Sequence, residues 1–194
     1  MIERFKIYEK RLKEVLSPSR FEHSLRVVET SLEFAKNIKI DESKLVLAAL
    51  IHDRCKEFPK DNLIKICVDS GRILNLAEKV NPDILHGPAG AIIIKGEWGI
   101  KDKEVLRAVE YHTTAAPYMS LIEKIIYLAD TLEPARDHKG VNELRRLAKE
   151  NLNSAYKLTL DYTIQHVLEK GSALHPYTVE ARNSILYERK IGGY

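Results

Sequence analysis

Seven histidines are spread over this chain of 194 residues, and several interrupt helical runs of apolar residues, where an unpaired polar ring is costly. The sharpest case is His52-Asp53, two neighbouring side chains able to bind a metal, straight after Leu45-Val46-Leu47-Ala48-Ala49-Leu50-Ile51. Alone, a His-Asp pair reads equally well as a hydrogen bond at a helix end. Two further residues change the balance. His23 falls on an earlier helical segment, and Asp130 closes the later run Ile125-Ile126-Tyr127-Leu128-Ala129. A carboxylate there must be paired, protonated or bound to a cation. Imidazole with carboxylate suits a first-row divalent ion such as iron, manganese or zinc better than calcium, which prefers oxygen ligands alone.

These residues have to be held by helices. Apolar residues recur at helical spacing almost from end to end, and alternating strand patterns bounded by Asn-Gly or Asp-Gly turns are missing. The first helix carries Phe5, Tyr8, Leu12 and Val15 on one face and stops near Ser17-Pro18, where a serine cap and a first-turn proline start the helix of Arg20, His23 and Val27. Asp41 opens a third, apolar all round and therefore buried on all sides. Pro59 opens a short piece through Val68 that Gly71 ends, and another helix starts around Gly87-Pro88 and runs to Trp98-Gly99. A helix from Asp102 leads into Tyr111-His112-Thr113-Thr114, and Pro117 breaks it. Ser120 caps Leu121 to Leu132; helices over about Val141 to Asn151 and Ser154 to Glu169 follow, and a last one comes after Pro176. The fold class expected is all-α, one domain over 1–194, with no repeat, linker or low-complexity tract.

Composition narrows the function. With 31 basic and 28 acidic residues the net charge is +3, too small for this size to argue for a long nucleic acid. At 44% hydrophobic and 30% charged residues, the chain is neither fibrous nor disordered. Its length buries a core without help from a disulfide or a metal, so a metal, if bound, is assigned to chemistry. Cys55 and Cys67 form no Cys-x-x-Cys pair and suit a reducing compartment. No motif around Cys55 supplies a general base, so it reads as a small buried group. Met1-Ile2-Glu3-Arg4-Phe5-Lys6 lacks the apolar region of a signal peptide, and no run approaches the about 18 apolar residues of a membrane span. The expected location is the cytoplasm, away from membranes. Trp98 and Tyr111 are expected to pack in the core, His138 and His166 to lie on the surface, and Arg145-Arg146 to form a solvated helix face without a partner.

The order His23, His52-Asp53, Asp130 resembles the HD-domain superfamily of metal-dependent phosphohydrolases. More narrowly, Arg20-Phe21-Glu22-His23-Ser24, His52-Asp53-Arg54-Cys55-Lys56-Glu57-Phe58, Leu85-His86-Gly87, Ala91, Tyr111-His112-Thr113-Thr114 and Tyr127-Leu128-Ala129-Asp130-Thr131-Leu132-Glu133-Pro134-Ala135-Arg136 resemble the bacterial YqeK family, from about Arg20 to Asn183. That resemblance implies a single HD-domain helical bundle with its motif-bearing core at about 18–183. It also implies a symmetrical bis(5'-nucleosyl)-tetraphosphatase that cuts diadenosine tetraphosphate and related dinucleoside tetraphosphates into two ADP or other nucleoside diphosphates, using a metal-activated water.

Carried over residue by residue, His23, His52, Asp53 and Asp130 match the metal ligands, with iron the usual metal, manganese or another first-row ion the alternatives, and one or two ions in the site. Asp53, Lys56, His86 and His112 match catalytic positions. Nucleotide contacts fall on Arg20, Lys56, His86, His112, Thr113 and Arg136 beside the ligands His23, Asp53 and Asp130, and on Ala173, Leu174, His175, Pro176, Tyr177 and Thr178 for base and ribose. His86 and His112 are alternatively ligands of a second metal. The implied partners are a dinucleoside polyphosphate or an ADP- or GDP-like nucleotide, and a second copy of the chain as a homodimer. Where the family usually has glycine, this chain has Ala115 after the His-Thr-Thr triplet and Arg26 three residues after the first metal histidine. Alanine restricts the backbone near His112, and Arg26 adds a cation near the first ligand. Two other readings remain: a phosphohydrolase of a mononucleotide or other signalling nucleotide, and a non-catalytic nucleotide-sensing module.

Overall fold

Wherever a capping side chain precedes an apolar repeat, a helix begins. In the computed structural model, which describes residues 5–191, α1 (Lys6–Lys13) is followed by α2 (Pro18–Ala35), whose first turn is closed by Ser17 Oγ accepting from the Arg20 amide. Asp41 caps α3 (Glu42–Ile51) by accepting from the amides of Ser43 and Lys44 at 2.9 and 3.2 Å. After α4 (Lys60–Asp69) come α5 (Leu76–Val80) and a 3-10 turn (Pro82–Leu85), then α6 (His86–Glu97) and α7 (Lys103–Tyr111), the last capped by Asp102. Ser120 caps α8 (Leu121–Leu132), and α9 (Val141–Glu150), α10 (Leu152–Glu169) and α11 (Pro176–Ile191) complete the order. Among the described residues there is no strand, as the spacing predicts. Residues 1–4 and 192–194 of the expected 1–194 domain lie outside the described residues, and so does most of the N-terminal stretch read for a signal peptide.

Two details differ from the sequence reading. The segment between Gly71 and Gly87 holds α5 and the 3-10 turn, each too short for a helical period to register, although Asn75 and Glu78 form a reciprocal capping box. The helix expected from Gly87-Pro88 starts at His86.

The core follows from the apolar faces. α3 packs against α2, α7 and α8, and Leu45, Val46, Ala48, Ala49, Leu50 and Ile51 are all buried. Each fully buried leucine or isoleucine contributes about 2 kcal/mol, so α3 is an anchored strut. α2 also packs on α8, and α7 on both α6 and α8. A smaller cluster under α4 holds Cys55, Leu63, Cys67, Leu85 and Ala89. Burial pushes the thiols of Cys55 and Cys67 up to about 12 and about 11, so both stay protonated at neutral pH and Cys55 is the inert small group expected. Trp98 and Tyr111 are half-buried against the main core, while His138 and His166 are exposed. Among the described residues no helix is long and apolar enough to cross a membrane.

Candidate active site

Five segments bring polar side chains to one end of this bundle. His23 comes from α2, His52 and Asp53 follow the last residue of α3, His86 opens α6, His112 follows α7, and Asp130 stands near the end of α8. His23 Nε2 lies 3.1 Å from Asp130 Oδ1 and 3.6 Å from Asp53 Oδ2. His52 Nε2 lies 3.4 Å from Asp53 Oδ2 and 4.0 Å from Asp130 Oδ1. Both Nε2 atoms are buried and have no hydrogen-bond partner. Metal–ligand bonds of about 2.1 Å place neighbouring ligand atoms about 3.0–3.4 Å apart, so the four residues fit a divalent ion.

The proton positions support the same fit. His52, His86 and His112 each donate Nδ1–H to a backbone carbonyl three residues earlier, those of Ala49 (2.7 Å), Asp83 (2.5 Å) and Val109 (2.7 Å). A carbonyl can only accept, so in the neutral rings Nε2 carries the lone pair. The local cause is helical: each of these carbonyls lies in the last turn of α3, of the 3-10 turn or of α7, and the histidine that follows the element turns its ring back onto it. The partial negative charge at the ends of α3 and α7 also favours a cation there. His86 Nε2 and His112 Nε2 stand 3.0 Å apart, at 3.2 and 3.5 Å from Asp53 Oδ1. Two facing lone pairs this close need a proton or a metal ion between or beside them.

Charge is unequally distributed within the cluster. Burial alone would raise Asp53, but His52, His112 and His86 hold its carboxyl well below the usual carboxylate range. Burial likewise opposes ionisation of Asp130, and the neighbouring His23 and His52 overcome it and lower the group. His112 is pushed down to about 4, mainly by burial, and is a neutral imidazole at physiological pH. His52 is also desolvated, yet Asp53 raises it.

Of the expected cations, Arg20 and Arg136 line the mouth. A cavity there is lined by Ser19, Arg20, His23, Arg26, Glu133, Ala135 and Arg136. Arg20 Nη1 donates to Asp53 Oδ2 at 3.0 Å, and Arg136 Nη2 donates to Asp130 Oδ1 at 2.6 Å. Lys56 is half-buried one turn past Asp53, its amide on the Asp53 carbonyl at 2.9 Å, and among the described residues its ammonium makes no ion pair. Thr113 is half-buried, its hydroxyl 3.4 Å from the Ile84 carbonyl.

The 173–178 segment abuts this end through its side chains of mixed exposure. Ala173, Pro176 and Tyr177 are exposed, Leu174 is half-buried, and His175 and Thr178 are buried. The Tyr177 ring meets Tyr111 at 5.9 Å, and Thr178 Oγ1 donates to the Thr114 carbonyl at 2.8 Å, which ties the segment to the strand of chain after His112. His175 faces away into a polar cluster, with Nε2 2.9 Å from Asn75 Nδ2 and 3.6 Å from Glu78 Oε1.

Two residues escaped the sequence reading. Glu133 is buried, and its Oε1 accepts from His23 Nδ1 at 3.1 Å. Its position one turn after Asp130, on the same helix face, was the available signal. Arg145 is not a solvated residue: its guanidinium donates to the carbonyls of Leu132, Glu133 and Arg136 at 2.8 Å each, and so braces the end of α8. Its neighbour Arg146 is the surface residue expected, paired with Glu150. Arg26 donates from Nε to Glu133 Oε2 at 2.7 Å.

Ala115 takes the left-handed backbone region, φ 57°, so the turn after His112 keeps a conformation that glycine adopts freely. The cost of about 1–2 kcal/mol for an L-residue there is offset by a fully buried methyl of about 0.8 kcal/mol and by the lower chain entropy of alanine, about 0.4–1 kcal/mol. Ala115→Gly is therefore expected to move the melting temperature by less than about 2 °C, checked by thermal denaturation.

Comparison with known proteins agrees with this geometry. The HD domain family model matches residues 20–135. A symmetrical bis(5'-nucleosyl)-tetraphosphatase of Halalkalibacterium halodurans is 39% identical, over 90% of this chain and 93% of that one. Another, from Bacillus subtilis, is 35% identical over 86% and 89%. A crystal structure from Clostridium acetobutylicum, described as a predicted HD superfamily hydrolase involved in NAD metabolism, superposes with a TM-score of 0.90 at 43% identity, covering 97% of this chain and 99% of the other. With His23, His52, Asp53 and Asp130 inside the matched region and the likeness running through nearly the whole chain, this protein belongs to the HD-domain family and, within it, to the symmetrical bis(5'-nucleosyl)-tetraphosphatases of the YqeK type.

Proposed function

We propose that this chain, as one domain, hydrolyses diadenosine tetraphosphate and related dinucleoside tetraphosphates with water to two nucleoside diphosphates. The observation that carries the reading is the pair of buried, unpartnered Nε2 atoms of His23 and His52 facing Asp53 and Asp130, beneath a mouth lined by arginines. His23, His52, Asp53 and Asp130 would hold a divalent ion, iron in our reading; Asp53, His86 and His112 offer the place for a second. A divalent ion bound there supplies Lewis acidity toward water and toward the bridging phosphates.

The rest is done by the chain itself. Burial keeps His112 neutral at neutral pH, so its Nε2 offers a lone pair that can accept a hydrogen bond from water or substrate, beside His86 Nε2 3.0 Å away. Asp53, ionised and between the two histidine pairs, faces the Nε2 atoms of all four. Arg20, Lys56 and Arg136 offset the negative charge that gathers on the departing diphosphate. Thr113 and the exposed edge of 173–178, with Tyr177 against Tyr111, receive the nucleoside portion.

Incubation with diadenosine tetraphosphate should release ADP as the sole nucleotide product, read by anion-exchange chromatography. Equal AMP and ATP would refute the symmetrical cut. Turnover of mononucleotides alone would move the substrate class, and tight binding with no product over hours would support a nucleotide sensor instead.

A further inference from the structure

We propose that Glu133, locked in place by Arg26, is a positioning residue for His23: its carboxylate decides which ring nitrogen of His23 carries the proton and where the other one points. The inference rests on the reading of His23 as a metal ligand.

Glu133 follows the last turn of α8 and is 2% exposed, so its charge has to be compensated within the fold. Both carboxylate oxygens are taken. Oε1 accepts from His23 Nδ1 at 3.1 Å and lies 3.7 Å from Arg136 Nε. Oε2 accepts from Arg26 Nε at 2.7 Å and from the Ala135 amide at 2.8 Å. The backbone is held as well, since Arg145 Nη2 donates to the Glu133 carbonyl. His23 and Arg26 are three residues apart on α2 and share a face, which lets them approach the carboxylate side by side, one to each oxygen.

A carboxylate only accepts, so the His23 proton is on Nδ1 and the Nε2 lone pair is directed at Asp130 Oδ1, 3.1 Å away, and Asp53 Oδ2, 3.6 Å away. Lone pair against anionic oxygens is repulsive unless a cation stands among them. His52, His86 and His112 obtain the same tautomer from neutral backbone carbonyls; of the four, His23 has the charged acceptor. An ionised acceptor makes the stronger hydrogen bond and the more basic Nε2. The Arg26 charge is used on Glu133, so it supports the carboxylate at the rim of the site.

The test is Mn2+ binding to metal-stripped protein, measured by competition with a fluorescent chelator, for the wild type and for Glu133→Gln, Arg26→Met and His23→Ala. Glu133→Gln keeps an acceptor for Nδ1–H but removes its charge, and is expected to weaken Mn2+ binding about 10-fold or more. Arg26→Met should weaken it by a smaller factor, about 3-fold, because the Ala135 amide still holds the carboxylate. At saturating Mn2+ the kcat of Glu133→Gln should return to near the wild-type value. Wild-type Mn2+ affinity in Glu133→Gln overturns the inference, as does a lost kcat that saturating Mn2+ does not restore. If Glu133→Gln fails to fold, wild-type affinity in Arg26→Met overturns it. Unchanged affinity in His23→Ala would instead overturn the ligand reading beneath it.

Discussion

Asp53→Ala is expected to lose bound metal and activity together, with ADP release falling by at least about 10³-fold. No other side chain in the cluster meets as many partners. Its Oδ2 lies 3.0 Å from Arg20 Nη1, 3.4 Å from His52 Nε2 and 3.6 Å from His23 Nε2; its Oδ1 lies 3.2 and 3.5 Å from the Nε2 atoms of His86 and His112. Removing it leaves four imidazole nitrogens pointing at one another with a single carboxylate, Asp130, to draw in a cation. A 10³-fold loss corresponds to about 4 kcal/mol of transition-state stabilisation, a modest demand on a residue that serves both histidine pairs. Metal content by elemental analysis, alongside product release, checks the pairing of the two losses. Full activity in a metal-free Asp53→Ala protein would sink the mechanism.

The second large effect comes from a residue with no side chain. A Cβ on Gly87 would stand 2.6 Å from the Glu110 carbonyl oxygen and 3.0 Å from that of Val109. Both are backbone atoms at the end of α7, so no rotamer change relieves the overlap and α6 must move off α7. Gly87→Ala is expected to cost about 2–3 kcal/mol, read as a fall of about 5–10 °C in melting temperature. Activity should fall further than stability suggests. Gly87 directly follows His86, and the Val109 carbonyl is the acceptor that orients His112, so the displacement acts on the 3.0 Å His86–His112 contact itself. Misplacement by about 1 Å costs about 100-fold in rate. Gly96→Ala is the control: its added Cβ meets nothing within 4 Å, and alanine is the better helix former by about 1 kcal/mol. Equal melting temperatures for the two variants would contradict the close α6–α7 approach.

Much of the scaffold was legible because its signals are local. Ser17, Asp41, Asp102 and Ser120 each cap the helix that follows, since a side-chain oxygen and amides two or three residues on lie within one turn. The apolar runs before His52 and Asp130 are buried for the reason their composition implies: with no polar stripe, neither helix has a face to offer water. What was missed lies where local pattern is thin or misleading. α5 and the 3-10 turn are shorter than a helical repeat can reveal. Arg145 has the sequence surroundings of a surface residue, and only the return of the chain past the end of α8 gives it three carbonyls to bind. His175 is legible as part of the 173–178 segment that the family resemblance singles out, but its burial against Asn75 and Glu78 depends on how α11 docks.

Neighbouring residues along the chain specify the helices and the chemical inventory of the site: imidazoles and carboxylates in an order that resembles one family, and basic residues beside them. Tertiary structure alone decided how those groups face each other. His23 and Glu133 are 110 positions apart and His86 and His112 are 26 apart, so no periodicity relates them. Their distances follow from the crossings of α2 with α8 and of α6 with α7, which side-chain volumes and the missing Cβ of Gly87 set. Helix formation is a property of neighbours along the chain; the direction of a lone pair is a property of the packed whole.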